Sequence, residues 1–173
     1  MSFFPACLSD LCSFALVLGF LATITGRATV VFPSESFDPV ATLDCITRFK
    51  GTFLYGVPTM LLAVHSAFMS SPSRWSVASL RGGAMGGSPC PPSLMEAVQK
   101  DLNMSSFLVA YGMTETSPVS FSNTPDDSAA MRATTCGTVL QNVEAKIVND
   151  EGKLVPLGES GELIVKGYLV MQG

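Results

Sequence analysis

The chain has 173 residues, 47% of them hydrophobic and 14% charged, with a formal net charge of −4 at pH 7. That length supports one domain with one core, burying roughly 70% of the unfolded surface, and the composition excludes a disordered chain. The negative balance, with no run of Lys or Arg, argues against a nucleic-acid partner. A positive mean hydropathy points to surfaces normally covered by the rest of a larger molecule. The five cysteines (Cys7, Cys12, Cys45, Cys90 and Cys136) are odd in number and contain no Cys-x-x-Cys. They read as reduced thiols of an intracellular protein, not as disulfides or metal ligands.

Phe14 to Ile24 is almost wholly apolar. No Lys or Arg precedes it, so a signal peptide is disfavoured, and it falls short of the roughly 20 residues that span a bilayer. The expectation is a buried helix packed on a sheet and no transmembrane anchor; without its covering partners that helix becomes an exposed apolar patch. Ala28 to Phe32 reads as a β-branched strand. Asp38 then caps a helix with Pro39 at its first position, and Val40, Leu43, Ile46 and Phe49 recur at a core-facing spacing. Gly51 ends that helix and Thr52 to Tyr55 forms the next strand. Pro58 to Met69 is a helix, Ser70 to Ser73 a loop, Leu80 to Ala84 a short strand and Pro92 to Leu102 a helix. Strands separated by helices imply crossovers and a parallel sheet.

Phe107-Leu108-Val109-Ala110 reads as a buried parallel strand, and Tyr111-Gly112-Met113-Thr114-Glu115-Thr116 follows it directly. A hydroxyl and a carboxylate thus fall at the carboxyl edge of the sheet, where open α/β folds bind ligands. The hydroxyl can donate to a phosphate oxygen, and the carboxylate can hold the Mg²⁺ that accompanies a nucleotide. Beyond Glu115 the character changes. Ser122 to Thr135 is polar and loop-like, and Val143 to Val148, Lys153 to Val155 and Glu162 to Lys166 are strand-like. The expected class is α/β: a parallel sheet with flanking helices over residues 16–121, then a small antiparallel β subdomain over 122–173, with residues 1–15 an atypical start.

Tyr111-Gly112-x-Thr114-Glu115 resembles the Tyr-Gly-x-Thr-Glu signature of adenylate-forming enzymes, the acyl-CoA synthetase and luciferase superfamily. Gly82-Gly83-Ala84-Met85-Gly86-Gly87-Ser88-Pro89 resembles that superfamily's adenine-binding turn, where glycines let backbone approach a flat base and Pro gives a rigid edge. Tyr55-Gly56-Val57-Pro58-Thr59-Met60 is similar to the strand–helix junction bordering the acyl pocket. Gly161-Glu162-Leu163-Ile164-Val165-Lys166-Gly167, followed by Val170 and Gly173, resembles the strand before the superfamily's hinge; Glu162 itself reads as structural. The segments keep the superfamily's order from about Leu16 to Gly173, and several resemble medium-chain acyl-CoA synthetases of the acyl-CoA synthetase family member 2 type.

The resemblance implies an ATP-dependent fatty acid–CoA ligase. A fatty or other carboxylate attacks the α-phosphate of ATP and releases pyrophosphate, and the thiol of coenzyme A then attacks the acyl-adenylate. By that resemblance Thr114 bonds a phosphate oxygen and Glu115 holds Mg²⁺. Tyr111 lies along the adenine of ATP or AMP with Gly87, Ser88 and Pro89 on its other side, and Gly112 allows the reacting carboxylate to approach. Tyr55, Val57 and Ala110 line the substrate pocket. The plain alternatives are a solvated turn carboxylate for Glu115, a helix cap for Thr114, a core aromatic for Tyr111 and an ordinary glycine loop. The chain carries no phosphate loop with its Lys, and neither the Thr-Gly-Asp motif nor the mobile C-terminal domain. Cys12 stands where alignment on Leu16 to Phe20 places the family's His, and His65 reads as a solvent-facing or satisfied packing residue. The expectation is an incomplete N-terminal domain of an adenylate-forming enzyme, inactive alone; a non-catalytic remnant or nucleotide- or partner-binding module is the alternative.

Overall fold

Glycine dictates the centre of the sheet. Strand β4 (Gly82–Gly86) lies parallel between β3 (Phe53–Gly56) and β5 (Ser106–Tyr111), and all five of its residues are buried. A Cβ on Gly83 would meet the Leu54 carbonyl oxygen at 1.8 Å, and one on Gly82 the Ser106 oxygen at 2.3 Å. The strand therefore tolerates no side chain at either position.

A computed structural model describes residues 2–3 and 13–172; Cys7, Cys12, most of the atypical start and Gly173 lie outside the described residues. β1 (Ser2–Phe3), β2 (Val30–Val31), β6 (Phe121–Ser122) and β7 (Thr138–Val139) complete a seven-stranded sheet in the order β2-β1-β3-β4-β5-β6-β7. The first five strands in that order pair in parallel, and β6 and β7 add on antiparallel. A separate antiparallel pair, β8 (Val143–Val148) and β9 (Glu162–Gly167), makes the small β unit.

Near residue 20, a π-helical stretch at Ala15–Leu21 continues into the single turn α1 (Ala22–Thr25). Then come α2 (Pro39–Phe49), α3 (Pro58–Ser70), α4 (Pro92–Asp101) and the short α5 (Ala129–Thr134). Asp38 caps α2 as expected, its Oδ1 accepting from Val40 N at 2.7 Å and Ala41 N at 3.1 Å. The core joins Leu43, Ile46, Leu61, Met85, Val98 and Phe107 across helices and sheet. His65 on α3 meets Asp101 on α4, Nε2 to Oδ2 at 2.8 Å, which makes it a satisfied packing histidine. Trp75 donates from Nε1 to Asp44 at 2.6 Å and carries the Arg74 guanidinium 4.6 Å above its ring.

Several local expectations need correction. The strand read at Leu80 to Ala84 lies two residues later, because Leu80 is a buried loop residue and the small-residue run makes the strand. The strand read over Ala28 to Phe32 is only Val30–Val31. Within the polar stretch Ser122 to Thr135 lies α5, capped where Ser128 Oγ accepts from Met131 N at 3.2 Å. Lys50, in the left-handed region at φ 57°, ends α2 rather than Gly51. Val40 and Phe49 stay 36% and 39% exposed, whereas Leu43 and Ile46 are fully buried. Lys153 to Val155 forms no strand; only an isolated bridge joins Leu154 to Val148. The first helix buries only Ala15, Gly19 and Thr23, leaving Leu16, Phe20, Leu21 and Ile24 at 45–60% exposure. No helix among the described residues is long and apolar enough to cross a membrane.

Two substitutions test this scaffold by urea unfolding. Asp38→Ala removes the cap and lowers stability by about 1 kcal/mol. Gly83→Ala forces β3 and β4 apart and lowers the unfolding midpoint well beyond that; an unchanged midpoint contradicts the strand packing.

Candidate functional site

Two parallel strands ending within one residue of each other create the site. Gly86 pairs with Ala110, so the turn after β4 and the residues after β5 emerge side by side at the carboxyl edge of the sheet, where parallel sheets expose ligand-binding loops. Gly87 turns the chain with φ +83°, a conformation that favours glycine. A Cβ there would come 3.4 Å from Val57 Cγ1. Gly87, Ser88 and Pro89 then form one wall of a cleft of about 410 Å³, with Val109, Ala110, Tyr111 and Gly112 also lining it. Cys90 closes that wall: its thiol donates to the Ser88 carbonyl at 3.3 Å, and burial pushes its pKa up.

Tyr111 is 39% exposed and meets Phe121 edge-on at 6.0 Å between ring centroids. It is therefore not a core aromatic; it lines the cleft, supported by Phe121. The wall that sequence reading did not find comes from α5 and the residues after it, Arg132 to Cys136. Its one visible signal was Ser128 ahead of the helix-forming run Ala129-Ala130-Met131-Arg132-Ala133. Asn123, 3% exposed, ties this wall to β5. Its Oδ1 accepts from Val109 N at 3.2 Å, its own N–H donates to Val109 O at 3.1 Å, and Nδ2 reaches Thr135 at 3.4 Å.

Thr114 and Glu115 sit on a 3₁₀ turn, Thr114–Thr116, and both are exposed. The capping work falls to buried Thr116, whose Oγ1 accepts from Met113 N at 3.0 Å and donates to Met113 O at 3.1 Å. The turn is anchored at its far side by Met171 N donating to Glu115 O at 2.9 Å. Thr114 and Glu115 line a second cavity of about 400 Å³ with Ser13, Phe14 and Met113. Gly87, Ala110 and Gly112 belong to both cavities. The glycine turn and the hydroxyl–carboxylate pair thus line neighbouring cavities that share these three residues. Gly112 has its own steric reason, since a Cβ there would meet Pro118 O at 2.1 Å. Of the expected pocket residues, Ala110 lines both cavities and Val57 borders Gly87. Tyr55 lies on β3 opposite Ala84, stacked on Phe53 at 6.4 Å, away from the lining of either cavity. Among the described residues no three His, Cys, Asp or Glu side chains cluster to hold a metal.

The chain is similar to known proteins over most of its length. The AMP-binding enzyme family matches residues 5–173. The acyl-CoA ligase SID4 of Ajellomyces capsulatus is 45% identical over 161 residues, covering 92% of this chain and 27% of the relative. The mitochondrial medium-chain acyl-CoA ligase ACSF2 of Mus musculus is 41% identical over 158 residues, covering 90% of this chain and 25% of the relative. The chain thus spans about a quarter of the length of these relatives. The crystal structure of the anthranilate CoA ligase AuaEII, in complex with anthranoyl-AMP, superposes with a TM-score of 0.86 at 27% identity, covering 98% of this chain and 31% of that one. The chain belongs to the AMP-binding enzyme family, whose model matches it over nearly its whole length.

Proposed function

We propose that these residues form the adenine- and phosphate-binding part of an ATP-dependent ligase that joins a fatty or similar carboxylic acid to coenzyme A. The observation carrying this reading is the shared lining: Gly87 and Gly112 border both the cavity beside Tyr111 and the cavity beside Thr114 and Glu115. An adenine nucleotide fits that division. Its flat base lies between Tyr111 and the backbone of Gly87, Ser88 and Pro89, while its phosphates reach the Thr114 hydroxyl. Aromatic stacking and close glycine backbone suit a base; a hydroxyl donor suits a phosphate oxygen.

Glu115 suits Mg²⁺ held by one carboxylate, water and phosphate oxygens, a cation that needs no all-protein cage. When bound, Mg²⁺ offsets phosphate charge as the substrate carboxylate approaches. Ala110 and Val57 border the place for the carboxylate end of the acid, with Tyr55 behind them on β3. Coenzyme A enters as the second acceptor, taking the acyl group from the adenylate. The sequence carries no phosphate loop with its Lys, so the positive charge such a loop would bring to the two approaching anions is not supplied by these residues. These 173 residues are therefore catalytically incomplete on their own. The compartment we propose is intracellular, in keeping with reduced cysteines.

Three measurements test this reading. Calorimetric titration of AMP into the chain gives saturable binding that Gly87→Val abolishes, because a branched side chain meets Val57 and a positive φ. Glu115→Ala weakens binding of ATP in the presence of Mg²⁺ while leaving metal-free AMP binding unchanged. Pyrophosphate release from ATP with a medium-chain fatty acid stays at background for the isolated 173 residues; turnover above background contradicts catalytic incompleteness.

A further inference from the structure

Thr114 has a neighbour at the phosphate end of the cleft. Ser13, just before the first helix, brings Oγ to 3.0 Å from Thr114 Oγ1 across 101 residues of sequence. Both side chains line the cavity of about 400 Å³ that also holds Glu115, Gly87 and Gly112. Phe14 seats this approach, its ring carbon Cε2 lying 3.7 Å from where a Cβ on Gly86 would stand. The start of the helix thus rests on the end of β4, and Ser13 is held over Thr114.

The chemistry of the cavity gives this contact a use. None of its described lining residues is a Lys or Arg, so among them hydroxyl and backbone N–H groups are the donors that can meet an anion. Two hydroxyls carry two protons, and one hydrogen bond between them engages only one. Whichever donates, the other O–H takes no part in this bond, and it is polarised by the bond its oxygen accepts. A phosphate group has oxygens enough to accept from both once the two hydroxyls rotate.

We propose that Ser13 is a second phosphate-binding residue, forming with Thr114 a two-hydroxyl cradle for the phosphate of an adenine nucleotide. This deepens the function proposed above and rests on its placement of the phosphate at Thr114. The test compares AMP with adenosine, which differ only in that group, by calorimetric titration into the full chain, Ser13→Ala, Ser13→Thr and Thr114→Val. The unmodified chain binds AMP more tightly than adenosine. Ser13→Ala lowers AMP affinity about tenfold, the worth of one hydrogen bond to a charged group, and leaves adenosine affinity unchanged; Ser13→Thr restores it. An AMP-to-adenosine ratio unaltered in Ser13→Ala but reduced in Thr114→Val overturns the role of Ser13 and leaves the phosphate placement standing. An unmodified chain that does not distinguish AMP from adenosine, or a Thr114→Val ratio equal to the unmodified one, overturns both.

Discussion

The parallel pairing of β4 with β5 sets everything downstream of it. Gly82 to Gly86 stand opposite Ser106 to Ala110 in unbroken register, so the strands end within one residue of each other and deliver their following turns to one edge. That register depends on β4 being nearly without side chains, since its glycines are closed in by Leu54 and Ser106. A conventional β-branched strand there would widen the sheet and separate the two turns. The steric constraint in the core and the shape of the cleft are thus one feature.

Around that edge buried residues that make the local hydrogen bonds sit next to exposed ones. In Thr114-Glu115-Thr116 the third residue is buried and makes the turn's hydrogen bonds, which leaves the first two exposed. Beside Tyr111, Phe121 supports the ring at its edge, so a face remains available to a flat ligand. Asn123 satisfies the backbone of Val109 and fastens the α5 wall with the same amide. Buried Thr116 thus fixes the turn that carries Thr114 and Glu115, and half-buried Phe121 supports Tyr111, which is how a site is kept preorganised.

Much of this was legible in sequence where local chemistry decided the structure. Asp38-Pro39 names a helix start by capping and by the fixed φ of proline, and Phe107 to Tyr111 names a strand by its apolar run. Tyr111-Gly112-x-Thr114-Glu115 identified the family, and with it the general location of the cleft. What escaped reading was decided over long range. The strand read at Leu80 to Ala84 lies at Gly82 to Gly86, a run of low strand propensity whose glycines face backbone too close to admit a side chain. α5 is too short for an apolar period to show, and the polar residues before it read as loop. The first helix looked buried throughout because Phe14 to Ile24 is apolar throughout, yet only Ala15, Gly19 and Thr23 are fully buried. Ser13 could not be connected to Thr114 from sequence at all, since 101 residues separate them.

The central claim is that the neighbouring cavities at the ends of β4 and β5 together receive a nucleotide. Backbone amide chemical-shift mapping of the isotopically labelled chain during addition of AMP tests it most directly. The account predicts that shifts concentrate at Gly87, Ser88, Tyr111, Gly112, Thr114 and the Thr135–Cys136 wall, with β8 and β9 undisturbed. Shifts centred on β8 and β9, or shifts that leave the Gly87 and Gly112 amides unmoved, would contradict it.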